Sequence, residues 1–156
     1  MMKIFLPLLL FVHLASNTCA QDTLDVYYLS DKIYNASFDV QSLEMTSKRE
    51  DGFYYKNTKD IRLIYNRKIN EYLILWTSIG LDNKEKFLHL KLKYHSTDKN
   101  KMYVMYSENS GDPWFYYVSP IDDINKNGTL KIISKDVYNE VRGGYYITSL
   151  IKRINQ

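Results

Sequence analysis

Few side chains in this 156-residue chain have types and spacings that could do chemistry. Only two of its three histidines, His89 and His95, lie beyond the first twenty residues. On an extended strand, at ~3.3 Å per residue, they stand about 20 Å apart, too far to share a metal ion. Both occupy lysine-bearing or loop positions and are expected to face solvent. The paired acids Asp122-Asp123 and Glu50-Asp51 are adjacent in turns, where carboxylates cap or solvate the backbone; general acid and base pairs instead converge across a cleft. No zinc-protease, nucleophile-elbow, P-loop or dinucleotide fingerprint occurs. We therefore expect no catalytic, metal or cofactor-binding residues and no enzymatic activity.

Binding chemistry is better represented. Lysines and aromatics interleave in "KLKYHSTDKNKMYVMY" and "WFYY", a pattern that can stack bases and track phosphate. The net charge is only +3, and strands favour tyrosine and solvent-facing lysine in any case, so a nucleic-acid partner is disfavoured. Fifteen tyrosines against six phenylalanines and two tryptophans are the unusual feature. Tyrosine offers a rigid amphipathic surface suited to protein contact. The pairs Tyr27-Tyr28, Tyr54-Tyr55, Tyr116-Tyr117 and Tyr145-Tyr146 put one ring on each face of a strand. Tyr116, Tyr117 and Tyr103 are the candidate interaction surface. Two glycosylation sequons occur, at Asn35 and Asn127, the latter in a turn and the more accessible.

The first twenty residues carry Lys3, an apolar run from Ile4 to Leu14, and the small-residue end Thr18-Cys19-Ala20, the order of a secretory signal peptide. The apolar run is too short to span a bilayer, and no later segment is longer, so no transmembrane segment is expected. Cleavage after Ala20 leaves residues 21–156 as one domain without its only cysteine. That excludes disulfides and thiolate chemistry and leaves stability to the core.

Period-two alternation dominates and predicts the elements that must position these side chains. Strands are expected at 23–29, 37–45 with a bulge, 53–56, 61–66, 71–79, 86–96, 102–108, 113–119 and 130–133. The five residues "NRKIN" join 61–66 to 71–79 as a hairpin. "NEYLILWTSI" is apolar on both faces, which predicts a central strand covered on both sides. In 86–96, Leu88, Leu90, Leu92 and Tyr94 form the buried face, and Phe87, His89, Lys91 and Lys93 the wet one. Trp76, Leu75, Leu90 and Trp114 are assigned to the core. Residues 122–130 read as a polar turn with positive φ at Asn127-Gly128, and 135–142 as a short C-terminal helix closed by Gly143-Gly144. The segment after it fits strand or helix.

Leu24-Asp25-Val26 behind the signal, the hydrophobic segment ending at Trp76, the aliphatics Leu88 to Leu92, and Pro113-Trp114 follow one another in an order that resembles the FAINT domain of secreted piroplasm proteins, those of Theileria above all. The likeness covers about residues 22–120. It implies a protein secreted by an intracellular parasite and exported towards the host cell, without catalytic residues and with structural tryptophans. Together these expectations describe a mostly β protein, an antiparallel β-sandwich or flattened barrel with a short C-terminal helix, that contacts a host protein. A lipocalin-like carrier of a small ligand is the alternative, and the aromatic rings discriminate. A carrier lines an interior pocket with them; an interaction module displays them outside a filled core.

Overall fold

The computed structural model describes residues 24–30, 32–50, 57–109, 112–137 and 139–153. The expected signal peptide, Cys19 and the strand expected at 53–56 lie outside them. Among the described residues the β-branched and aromatic runs form eleven strands, β1 (Leu24–Ser30), β2 (Lys32–Asp39), β3 (Met45–Arg49), β4 (Thr58–Asn66), β5 (Glu71–Ile79), β6 (Glu85–Thr97), β7 (Tyr103–Asn109), β8 (Asp112–Val118), β9 (Leu130–Ser134), β10 (Val141–Thr148) and β11 (Ile151–Arg153). The helix α1 (Ile121–Asn127) joins β8 to β9. All ladders are antiparallel, in the order β11-β1-β4-β5-β6-β7-β8-β9-β10-β2-β3.

The two ends of that order belong to one bent strand pair. β1 runs into β2 across a single residue, and β10 into β11 across two. The register is unbroken from Tyr27↔Arg153 and Leu29↔Ile151 to Lys32↔Thr148 and Asp39↔Val141. At the bend the Ser30 hydroxyl donates to the Thr148 carbonyl and accepts the Lys32 N–H at 3.1 Å. β1 continues the sheet through β4, and β2 adds β3, so the sheet curls back on itself into a flattened barrel.

The hairpin between β4 and β5 forms as expected, with Tyr65 opposite Tyr72 and Asn70 at φ 49°. Three expectations are corrected. Residues 37–45 are not one bulged strand, because the Asp39 carboxylate accepts the N–H groups of Gln41 (2.9 Å) and Ser42 (2.7 Å) and turns the chain. Residues 121–127 are not a polar turn but the helix. Pro120 fixes the entry φ, Asp122 and Asp123 meet the positive end of the helix, and Ile121 and Ile124 bury one side. Gly128, at φ 63°, closes it with a 2.9 Å N–H bond to the Ile124 carbonyl. Residues 135–142 do not form the C-terminal helix. The Ser134 hydroxyl accepts the Asp136 N–H at 3.1 Å, Asn139 has φ 57°, and β10 has begun by Val141.

Gly143 and Gly144 are therefore strand residues and not a helix stop. A Cβ on Gly144 would lie 2.2 Å from the Ile132 carbonyl oxygen, so β9 and β10 can approach only over a glycine there. A Cβ on Gly143 meets nothing within 4 Å.

The main core fills the barrel beside α1. Tyr28, Leu63, Tyr72, Leu92, Met105, Val118, Ile124 and Leu130 are all at most 1% exposed. A second apolar cluster, Ala36, Phe38, Leu43, Met102 and Ile133, covers the outer face where the β2–β3 turn folds over.

Candidate functional site

The inward-facing side chains show a gradient along each strand. At the α1 end they are sealed. Tyr72 donates its hydroxyl to the Ser119 carbonyl at 3.0 Å, Tyr28 donates to Asn125 of α1, and Tyr65 meets Tyr72 edge-on at 5.3 Å. Burial pushes the Tyr72 hydroxyl pKa far up, with neighbouring Tyr103 adding to it, and burial also raises Tyr28, Tyr65 and Tyr103.

Two residues further along each strand the packing loosens. On β8 the inward series runs from buried Val118 through half-buried Tyr116 to Trp114, 53% exposed. On β6 it runs from buried Leu92 through half-buried Leu90 to Leu88, 39% exposed. β5 passes from Tyr72 and Ile74 to half-buried Trp76. β10 passes from Ile147 to Tyr145 and then to Gly143. The taper has a cause in the ladder. β7 pairs with β6 only over Lys93–Thr97, so among the described residues Glu85–Leu92 is paired on the β5 side alone.

The result is an open cup at the end opposite α1. Its inner chamber, about 220 Å³, has a floor of Ile33, Ile74, Ile132 and Ile147. Trp76, Tyr116 and Tyr145 wall it, with Leu90 and His89 at the β6 side. The outer chamber, about 530 Å³, shares Tyr116, Ile132 and Tyr145 with the inner one and adds Asn35, Trp114, Ser134, Asp136 and Gly143. Burial raises the Tyr116 hydroxyl pKa, and the charge of Asp136 adds to it. Asn35 Oδ1 and Trp76 Nε1 are buried without a hydrogen-bond partner. Among the described residues no group of three or more His, Cys, Asp or Glu side chains is gathered as metal ligands would be.

The site residues expected from sequence divide between the two ends and two faces. Trp76 and Leu90 pack against the main core from partly buried positions. Leu75 is half-buried on the outer face, where it lines a groove with Arg62 and Phe87. Trp114 is not a core residue, because it stands at the rim of the cup where no strand covers it. Tyr103 and Tyr116 are not an outer interaction surface, since both turn inward against the main core. Tyr117 alone of the three faces out, beneath Arg142 (5.3 Å) and Lys135 (5.8 Å).

Asn127 is exposed at the end of α1, while Asn35 lies within the β2 ladder between Arg49 and Tyr145. The expected central strand, β5, has neighbours on both sides, but its outer face is only half covered. Tyr145, Asp136 and Gly143 went unselected in the sequence. The Gly-Gly pair was the available signal, had the period-two alternation of 141–148 been set above the capping pattern.

Among the described residues no helix is long and apolar enough to cross a membrane. The chain matches no family model, no curated protein and no solved structure.

Proposed function

We propose that the protein is a secreted, non-enzymatic binding protein that holds a small, largely apolar ligand in the cup. The observation that carries this reading is the gradient of inward side chains, with three aromatic walls and an apolar floor left unfilled at one end of a barrel that is packed at the other. Binding sites for small molecules have this composition, apolar and aromatic with a few polar groups. A dry cavity of ~150 Å³ takes benzene, so the inner chamber suits one ring or two fused rings.

Titration of the full chain with indole, followed by calorimetry, tests the reading. Saturable one-to-one binding is expected, and it should be lost in Gly143→Phe, whose Cβ meets nothing within 4 Å and whose ring would lie in the outer chamber, across the way into the inner one. Unchanged binding in that variant and in Trp76→Ala, which alters a wall of the inner chamber, would remove the cup as the site.

A second reading, contact with a host protein as the FAINT resemblance implies, is favoured by one observation. Phe87 is 87% exposed on the part of β6 paired only with β5. Partner strands add to such edges. Loss of a captured partner on Phe87→Asp, with ligand binding retained, would assign the two readings to separate surfaces.

A further inference from the structure

We infer that the cup selects a cationic ligand, a small aromatic amine whose ring enters the inner chamber and whose ammonium group stays in the outer one. The inference rests on the cup as the binding site and adds the chemistry of what it takes. The inner chamber is lined by aliphatic and aromatic side chains and His89, with no lysine, arginine or carboxylate, so the buried part of a ligand must be apolar. Tyr116, Ile132 and Tyr145 border both chambers, so one molecule can occupy both.

Among the described residues that line the outer chamber, Asp136 is the only charged one. It takes part in none of the ion pairs among the described residues. The cations near it in sequence are turned to the opposite face of the sheet. Lys135 Nζ lies over the rings of Phe115 (5.5 Å) and Tyr117 (5.8 Å), and the Arg142 guanidinium lies over Tyr117 and donates to the Lys135 carbonyl. Among the described residues that line the outer chamber, this leaves a carboxylate together with the rings of Trp114 and Tyr116. A carboxylate supplies a charge-assisted hydrogen bond to an ammonium group, and ring faces attract the same cation. An anionic ligand would meet Asp136 with no counter-charge among the described lining residues.

Three probes with one ring system separate these possibilities by calorimetry on the full chain: tryptamine as the cation, tryptophol as its neutral counterpart and indole-3-propionate as the anion. Tryptamine is expected to bind about tenfold more tightly than tryptophol, and the anion most weakly. Asp136→Asn, at an exposed position, should bring tryptamine to the level of tryptophol while leaving tryptophol unchanged. Equal binding of all three, or a tryptamine preference that survives Asp136→Asn, would overturn the inference while leaving the cup as the site. Failure of both tryptophol and tryptamine to bind a folded chain would remove the cup reading and the inference with it.

Discussion

The two ends of the barrel are built from the same kinds of residue and do opposite things with them. Beside α1, tyrosines fill space. Tyr72 is fully buried with its hydroxyl bonded, Tyr65 and Tyr103 pack against it, and Ile121 and Ile124 close the end as a plug. At the mouth, Trp76, Tyr116 and Tyr145 line space instead. An aromatic ring stabilises a fold where all its faces meet protein, and it recognises a ligand where one face does not. What separates the ends is coverage. The plug covers one, while at the other β6 parts from β7 beyond Lys93.

Substitutions that empty the plugged end should therefore cost most. Tyr72→Ala removes a fully buried ring and leaves the Ser119 carbonyl without its donor, and should destabilise by about 3–5 kcal/mol in urea unfolding. A loss near that of a mouth residue would erase the contrast.

Next in size is a pair of adjacent glycines. Gly144→Ala drives a Cβ against the Ile132 carbonyl and should cost about 1–3 kcal/mol, while Gly143→Ala, beside open space, should change the urea midpoint hardly at all. Equal effects would mean that β10 does not present Gly143 to the cup.

The plugged end should also set the alkaline limit. Tyr28, Tyr65, Tyr72 and Tyr103 have folded-state pKa values raised above the ordinary value of 10.0. The unfolded chain then loses these protons first. Their contribution is fully present below about pH 10 and falls as pH rises towards the folded values, by up to ~1.4 kcal/mol per pH unit for each fully differing group. Urea midpoints followed against tyrosinate absorbance check this. A midpoint flat through that range would contradict the burial.

A ring at the mouth should matter less to stability than one at the plugged end. Trp76→Ala should cost about 1–2 kcal/mol, less than a ring sealed between two layers, because Trp76 already borders empty space. It should, however, abolish ligand binding. Destabilisation as large as that of Tyr72→Ala would place Trp76 in a filled core.

Much of this architecture was legible in the sequence because period-two alternation is a local signal. β4, β5, β7 and β8 follow it, as does the hairpin through "NRKIN". What escaped was non-local or ambiguous. Ile121 and Ile124 look like isolated apolar residues in a polar turn until a barrel end exists for them to plug. Gly143-Gly144 satisfies the rule for a helix stop and equally the need of two strands to approach closely, and only the position of Ile132 decides between them. For the site, alternation assigned Tyr116 and Trp76 to faces but could not say that the face they share is left unfilled. That property depends on where β6 and β7 separate, beyond the pair Lys93↔Tyr106.

The mouth, and not the outer sheet face, is the proposed binding surface. The most direct measurement is an NMR titration of the isotope-labelled full chain with indole. The account predicts saturable shifts centred on the Trp76 indole N–H and the amides of Ile132, Tyr116 and Tyr145, absent in Gly143→Phe. Shifts centred instead on Tyr106 and Phe115 of the outer face, or amide shifts surviving in both Gly143→Phe and Trp76→Ala, would contradict it.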